Sequence, residues 1–274
     1  MGQTGGIMNK NPLNELLMIL SLALMLPSHV SAQNIVPNPS FEEYIECPEN
    51  GFYELHLCKD WKDPAGTVDY YNVCRNDLVI EQDEKKYIDN YIGIQSPHSG
   101  NGFVGLFLFT SKNFYNREYL QCKLLKSMEA GVSYRVSFYI AVGKNSDLYS
   151  DHISLCFSSS PEFHFTGTNP NLNAVNSLHR HGITFSCKGR VKVKGDILKS
   201  KEWTAIEFDY VAKGGESYLT MGSFLEDMST KAFKKAISKN INSNNTNINK
   251  TSYYYIDDIS VVRSDQKVEF SHQH

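Results

Sequence analysis

The sequence lacks an excess of charge of either sign, and this narrows the classes of partner. It contains 27 Lys and Arg against 30 Asp and Glu in 274 residues, a formal net charge of −3. A chain with so small a net charge has no basic field that would draw it to nucleic acid or to anionic lipid. Its 41% hydrophobic and 21% charged residues are typical of a globular chain and exclude a fibrous or wholly disordered one.

The sequence also has no hydrophobic run long enough for a membrane span, so no transmembrane segment is expected. The longest run, Leu16–Leu26, falls short of the roughly 20 residues that a spanning helix needs. Lys10 precedes it and the small residues Val30–Ala32 follow it, which is typical of a secretory signal peptide. We therefore expect residues 1–32 to be a signal peptide and residues 33–274 to be exported, to the cell surface, the periplasm or the medium.

Motifs for catalysis and for transition metals are missing as well. There is no Gly-x-Ser-x-Gly, no His-Glu-x-x-His and no Cys-x-x-Cys. We assign no catalytic residue and do not expect an enzyme. An even number of cysteines in an exported chain favours disulfides, but spacing does not choose among the pairings. The six cysteines are Cys47, Cys58, Cys74, Cys122, Cys156 and Cys187.

Hydrophobic residues that recur at every second position dominate the rest of the chain. In Tyr134–Val142 the apolar side chains fall on one face, while Arg135 and Ser137 fall on the other. This period predicts half-buried strands, and a wholly apolar run predicts a strand that is covered on both faces. The other runs are Phe103–Phe109, which is apolar on both faces, Ile153–Phe157 and Thr204–Tyr210. We predict an all-β fold with two antiparallel sheets in a sandwich and long loops.

Two segments depart from this alternation. Residues 159–195 are rich in Pro, Asn, Gly and Ser, which predicts long loops, although Gly182–Val193 could include a strand. Residues 229–251 carry a basic stretch that could form one short helix, followed by an Asn-rich run. We expect this second segment to be an exposed insertion in an otherwise single domain.

A series of short motifs resembles a known family. The series begins with Asn34-Ile-Val-Pro-Asn-Pro-Ser-Phe-Glu42 and continues with Gly66-Thr-Val-Asp-Tyr-Tyr-Asn-Val-Cys74, Gly93-Ile-Gln-Ser-Pro-His-Ser-Gly-Asn-Gly102 and Tyr253-Tyr-Tyr-Ile-Asp-Asp-Ile-Ser260. In this order the motifs resemble the galactose-binding-like jelly-roll domains that are related to carbohydrate-binding modules. The resemblance is greatest to the exported bacterial type that often precedes an outer-membrane-protein-A-like peptidoglycan-binding domain. It implies a jelly-roll sandwich.

The resemblance also implies a disulfide and a structural calcium ion. It pairs Cys47 with Cys74 and leaves Cys58 open, to pair with Cys122, Cys156 or Cys187 or with no partner. It places calcium between the first and last strands, on Glu42 and on Asp257 or Asp258. The turn around Asn101 would contribute further oxygens, of which calcium takes six to eight. Alternation along the last strand also places Asp257 on an apolar face, where an isolated carboxylate would be costly to bury.

For a ligand, the resemblance points to exposed aromatic rings that stack on the apolar faces of sugars. The candidates are Trp61, Tyr70, Tyr71 and Trp203. The leading hypothesis is a secreted, non-catalytic binding module at the bacterial cell envelope, with glycan as its ligand. The first alternative is a structural or adhesive surface protein that binds other envelope proteins. The second is an esterase or a glycosidase on the same scaffold.

Overall fold

The alternating segments form strands at the positions that the sequence predicts. The computed structural model describes Gly2 and residues 33–75, 79–82, 85–110, 117–146, 148–150, 152–161, 163–165, 183–185, 189–194, 199–224 and 251–264. The run that begins at Tyr134 lies in strand β8, where Val136, Phe138 and Ile140 are buried and Arg135 is exposed. The side-chain period of two therefore fixes which face of this strand joins the core.

Fifteen strands lie within the described residues. They are β1 (Trp61–Ala65), β2 (Asp69–Asn72), β3 (Val79–Gln82), β4 (Lys85–Asn90), β5 (Gly93–Gln95), β6 (Gly102–Thr110), β7 (Tyr119–Lys123), β8 (Ser133–Val142), β9 (His152–Ser158), β10 (Phe163–Phe165), β11 (Ile183–Phe185), β12 (Gly189–Lys194), β13 (Thr204–Val211), β14 (Tyr218–Gly222) and β15 (Thr251–Arg263). One short 3-10 turn, Leu55–Leu57, precedes β1.

Two five-stranded antiparallel sheets face each other across the main core. Their strand orders are β13-β8-β15-β6-β2 and β1-β7-β14-β9-β12. Val136 and Phe138 from the first sheet and Leu155 and Phe157 from the second belong to one buried cluster. Burying each such side chain contributes about 1.5–3 kcal/mol to the free energy of unfolding. The predicted all-β jelly-roll sandwich is confirmed.

A third sheet covers the outer face of the first one. It has the order β3-β4-β5, and Ile88 of β4 and Ile92 of the following turn pack against Tyr71, Tyr253 and Tyr255. Successive side chains on β15 therefore enter different cores, because Tyr254 belongs to the main cluster while its neighbours belong to this second one. Tyr71, Phe103, Tyr253 and Tyr255 are buried in this second cluster.

The segment that opens the described region lies alongside the last strand. Asn34 bridges to Val262, and the Ile35 N–H donates to the Val261 carbonyl at 2.9 Å. The Asn34 side-chain oxygen also accepts the Val261 N–H at 2.8 Å. This pairing brings the Phe41-Glu42 region of the opening segment to the edge where β15 bends.

Strand β9 is more buried than its alternating sequence predicts. Ile153, Leu155 and Phe157 are buried as expected, but the small polar residues between them are buried too. The strand lies between β14 and β12 and is covered on both faces, so its alternation in polarity does not match an alternation in exposure. Strand β11 and all but the last residue of β12 lie within the Gly182–Val193 stretch.

Several expectations fall outside the described residues. The signal peptide (1–32) lies there, as do the short helix and all but the last residue of the insertion expected over 229–251, since β15 begins at Thr251. In the part of the chain that the structure describes, no helix has the length and apolar character needed to cross a membrane.

Candidate functional site

A tight loop before the 3-10 turn is organised around one buried carboxylate. Glu54 accepts the backbone N–H groups of Asn50 and Gly51 on Oε2, at 2.8 and 3.0 Å. Its Oε1 accepts the Asn50 side-chain amide at 3.0 Å. Gly51 and Tyr53 have positive φ angles, 68° and 63°, which turn the chain sharply at this point. The loop is therefore held in one conformation by its own acid.

A disulfide ties the same loop to the end of β2. Cys47 and Cys74 are bonded, with a Cα–Cα distance of 6.1 Å and a sequence separation of 27 residues. The pairing implied by the resemblance is confirmed. Cys156 is also disulfide-bonded, and its partner lies outside the described residues. Cys58 and Cys122 are free and buried, so Cys58 has no disulfide partner.

Three half-exposed aromatic rings meet where this loop approaches the β4–β5 turn. Phe52, Tyr53 and Tyr91 have relative exposures of 43%, 59% and 51%. The Phe52 ring packs edge to face on Tyr53, with centroids 5.3 Å apart, and on Tyr91, with centroids 6.1 Å apart. We call these three residues the aromatic patch. Neighbouring rings in T-shaped contact support one another and still present apolar surface to solvent.

Beneath the aromatic patch lies the carboxylate of Asp69 on β2. It is 1% exposed, and its Oδ2 accepts the hydroxyls of Tyr253, Tyr91 and Tyr71 at 2.6, 3.0 and 3.2 Å. Its Oδ1 accepts the backbone N–H of Tyr53 at 2.9 Å. The hydroxyl oxygens of Tyr71 and Tyr253 also lie 2.9 Å apart, so the single hydrogen of Tyr71 can be donated either to Asp69 or to Tyr253. We call Asp69 with Tyr71, Tyr91 and Tyr253 the Asp69 cluster.

A second buried carboxylate, Glu118, interacts electrostatically with Asp69. Its oxygens accept the Phe107 N–H at 2.8 Å and the Thr67 hydroxyl at 2.9 Å. Burial, and then repulsion from Asp69, raise the pKa of Glu118 well above its usual value. Burial likewise raises the pKa of Asp69 to about 6, although the hydrogen bonds from Tyr253, Tyr53, Tyr91 and Tyr71 oppose the change.

The arrangement is suited to stacking rather than to proton transfer. Asp69 and Glu118 are 1% and 3% exposed, and the protein's own donors bond to the oxygens of both carboxylates. A general acid must come within hydrogen-bond reach of the group that it protonates. The three residues of the aromatic patch, in contrast, are half-exposed.

Three of the four ring candidates from the sequence are buried, so the prediction that they are exposed is wrong. Trp61 donates its indole N–H to the Asn38 carbonyl at 2.9 Å and packs on Phe41. Tyr70 donates its hydroxyl to the Phe41 carbonyl inside the main core. Tyr71 lies beneath the third sheet. Periodicity places these rings on strands but does not show that both strand faces are covered.

Trp203, the fourth candidate, is half-buried and lies beside a different loop. Its indole N–H donates to the Ser96 carbonyl at 3.0 Å, and its ring meets His98 edge on at 6.0 Å. His98 in turn stacks on Tyr139 and bonds through Nδ1 to Asp258 Oδ2 at 2.5 Å. The structure therefore places Trp203 between the predicted metal ligands and the buried cluster that contains Tyr71.

The sequence-based search missed the aromatic patch because its rings come from turns. Tyr53 follows Gly51-Phe52, and Tyr91 precedes Ile92-Gly93. An aromatic residue close to a glycine in a turn, within a few residues of a disulfide cysteine, is the pattern that could have indicated it. Turn residues have no partner strand to bury them, so large rings there tend to remain exposed.

The four predicted calcium ligands lie around the turn between β5 and β6. Glu42 Oε1 accepts the N–H groups of Asn101 and Gly102 at 2.6 and 2.8 Å. Asp257 Oδ2 accepts the His98 N–H at 2.8 Å. Asp258, at a bulge in β15 with φ of 50°, also bonds to this turn. The three carboxylates are thus brought to one turn, as the resemblance implied.

The two aspartates differ in protonation. Burial, followed by repulsion from Asp258, raises the pKa of Asp257 to about 8. Burial also acts to raise the pKa of Asp258, but hydrogen bonds from Ser40, Ser99 and His98 outweigh it and hold that pKa below its usual value. The buried member of the pair therefore carries the proton near neutral pH.

The donors around this turn do not provide a side-chain cage for a metal. Within the described ranges, no group of three or more His, Cys, Asp or Glu side chains is arranged to hold an ion. A calcium ion here would have to draw most of its oxygens from backbone carbonyls. Calcium binding at Glu42, Asn101, Asp257 and Asp258 stays a prediction.

Comparisons with known proteins identify no family for this chain. No family model and no curated protein matches the chain. Among solved structures, the K2 cleaved adhesin domain of Lys-gingipain aligns with 83% of this chain and 97% of its own, at 14% identity and a TM-score of 0.38. The CBM22-1 xylan-binding domain from Paenibacillus barcinonensis Xyn10C aligns with 82% of this chain and 91% of its own, at 10% identity and a TM-score of 0.35. The third cleaved adhesin domain, K3, of Lys-gingipain from Porphyromonas gingivalis aligns with 84% and 99%, at 12% identity and a TM-score of 0.35.

Proposed function

We propose that this protein is an exported, non-catalytic binding module of the bacterial cell envelope, and that its aromatic patch binds glycan. The observation that carries the proposal is the set of three half-exposed rings held in fixed geometry. Rings held rigidly before binding cost little conformational entropy when a sugar stacks on them. The glycan is thus expected to contact Phe52, Tyr53 and Tyr91.

Amide side chains next to the rings supply the polar part of such a site. Asn50 precedes Phe52 in the loop and is exposed. Asn145 is exposed and lies against Gly93, two residues after Tyr91. Sugars present hydroxyls at the rim of an apolar face, and exposed amides can both donate to and accept from them. Aromatic faces flanked by amides therefore suit a neutral sugar.

Export is supported by the disulfide and by the predicted signal peptide. A disulfide such as Cys47–Cys74 persists in oxidising compartments and is rare in the cytosol. The absence of catalysis is supported by the burial of Asp69 and Glu118, two acids whose charges act on Tyr53 and Tyr91. A glycosidase on this scaffold would need carboxylates that reach the substrate.

One observation favours the alternative of adhesion to another envelope protein. Ile45 is 72% exposed and belongs to the same segment as the aromatic patch. Apolar side chains beside exposed Tyr and Phe rings are also typical of protein interfaces. The two candidate functions share a surface, so an experiment has to distinguish their ligands.

Retention on immobilised polysaccharides, compared with capture of envelope proteins, makes the distinction. Phe52→Ala removes a ring that makes no hydrogen bond through its side chain, and we expect retention to weaken about tenfold, or ~1.4 kcal/mol. Leu125→Ala, at another exposed apolar residue, is the matched control and should retain full binding. Absence of retention on every polysaccharide, with capture of an envelope protein that Phe52→Ala abolishes, would replace glycan binding by adhesion.

A further inference from the structure

Asp69 is bonded to both elements that supply the aromatic patch. Its Oδ1 accepts the Tyr53 N–H from the loop, and its Oδ2 accepts the Tyr91 hydroxyl from the β4–β5 turn. These two elements are far apart in sequence and come from opposite sides of the carboxylate. One buried side chain therefore sets the distance between the two halves of the patch.

We propose that Asp69 is the positioning residue of the aromatic patch, and that protonation of its carboxylate releases Tyr91 and loosens Tyr53, so that glycan binding is lost in mild acid. The inference rests on the proposed glycan-binding function for its biological meaning. The positioning itself is a property of the chain and can be measured without any sugar.

The hydrogen-bond pattern shows which contact breaks first. Three phenol hydroxyls lie within hydrogen-bond distance of Oδ2, and the ionised carboxylate only accepts hydrogen bonds, whereas the protonated acid must also donate one. Once protonated, Asp69 has to donate to a phenol oxygen, and the hydrogen of that phenol must turn elsewhere. Tyr71 and Tyr253 can bond to each other, and both are buried. Tyr91 is half-exposed and can bond to water instead, so it is the ring that leaves. The Tyr53 N–H keeps Oδ1 as its acceptor, but a hydrogen bond to a neutral carboxyl is weaker than one to a carboxylate, so Tyr53 is loosened rather than released.

The neighbouring ionisable groups do not produce the same switch. Six groups feel the charge of Asp69: Tyr53, Tyr71, Tyr91, Tyr253, Tyr255 and Glu118. Burial raises the pKa of each tyrosine, so all five remain neutral in acid.

Glu118, which follows the buried Arg117, is bonded to Thr67 and Phe107 rather than to the patch. Its protonation therefore leaves the hydrogen bonds to Tyr53 and Tyr91 in place. Because burial raises the pKa of Asp69 to about 6, the transition falls in the mildly acid range.

Amide hydrogen exchange of the intact protein tests the positioning directly. The protection factor of the Tyr53 N–H, relative to its intrinsic rate at each pH, should fall about tenfold between about pH 7.5 and about pH 5. In Asp69→Asn it should not titrate over this range. The Val36 N–H is the internal control, since it donates to the uncharged side chain of Asn34 and should show no midpoint shared with Tyr53.

Affinity electrophoresis in gels that contain xylan, laminarin or galactan tests the consequence. Retention of the wild type should be lost at the same pH midpoint as the protection of the Tyr53 N–H. Tyr91→Phe keeps the ring but not the hydroxyl, so it should bind weakly at neutral pH, and its retention should depend little on pH. Tyr53 protection that titrates when no polysaccharide is retained would support the positioning and refute the glycan function. Tyr53 protection that stays constant, or that titrates identically in Asp69→Asn, would overturn the inference. If Asp69→Asn does not fold, the wild type and Tyr91→Phe are compared instead. A pH-dependent change in retention that is equally large in both proteins would also overturn the inference.

Discussion

Replacing Asp69 by Asn should remove a pH-dependent part of the stability, and its size follows from the burial of this carboxyl. Burial raises its pKa from 3.8 to about 6. The folded protein therefore holds the Asp69 proton more tightly than the unfolded chain does. Each pKa unit is 1.36 kcal/mol, so the difference amounts to about 3 kcal/mol.

The sign follows from where the proton binds. The contribution is fully present below about pH 4, where both states are protonated, and it is lost as the pH rises through about 6. Wild type should thus gain about 3 kcal/mol relative to Asp69→Asn when the pH is lowered from about 7 to about 4. Other buried acids, such as Asp257, titrate in both proteins, so most of their effect cancels in the difference.

Urea unfolding at a series of pH values measures this difference. Asp89→Asn makes the same chemical change at an exposed position of β4 and should stay parallel to wild type. A difference between wild type and Asp69→Asn that is flat, or that grows with rising pH, would refute the reasoning. The contribution of Asp69 to global stability is opposite to its local effect, because its protonation favours the folded state while it loosens the aromatic patch.

Three further predictions concern the disulfide and the turn between β5 and β6. Replacing Cys47 and Cys74 by Ser should lower the free energy of unfolding by about 3–4 kcal/mol, because the disulfide closes a 27-residue loop in the unfolded chain. Urea unfolding without reductant measures this loss, and an unchanged midpoint would contradict it. Gly100→Ala should lower the free energy of unfolding by about 1–3 kcal/mol, because φ is 57° and a Cβ would collide with the Glu42 carboxylate. Thermal unfolding measures the loss, and Gly131→Ala is the control, since a Cβ there meets no atom. If calcium binds at Glu42, a chelator should lower the melting temperature and added calcium should restore it. A melting temperature that responds to neither would refute the predicted calcium site.

The strands could be predicted because apolar and polar residues alternate along them. The candidate site could not be predicted in this way. Val136, Phe138 and Ile140 alternate with polar residues, and this period is independent of what lies beyond the sheet. Tyr71 follows the same rule, yet its burial depends on a third sheet whose strands β3 and β5 are short and carry little alternation. A local pattern cannot show which distant segment covers a face.

The predicted acids fared better than the predicted rings. Glu42, Asp257 and Asp258 meet at one turn because the opening segment pairs with β15, and this followed from the resemblance. Phe52, Tyr53 and Tyr91 belong to turns, where no periodicity exists to indicate them. Their convergence depends on Asp69. The neighbouring residues Tyr70 and Tyr71 do not indicate from the sequence that this acid is buried.

On the proposed glycan-binding function, the cover formed by β3, β4 and β5 limits how much of a polysaccharide one molecule can contact. A chain that approaches the broad side of the first sheet meets these strands, so contact is confined to three rings at the rim. So small a footprint gives modest affinity for a single copy. Firm attachment to a polysaccharide would then come from many copies displayed together on one surface, each releasing and rebinding while its neighbours hold on.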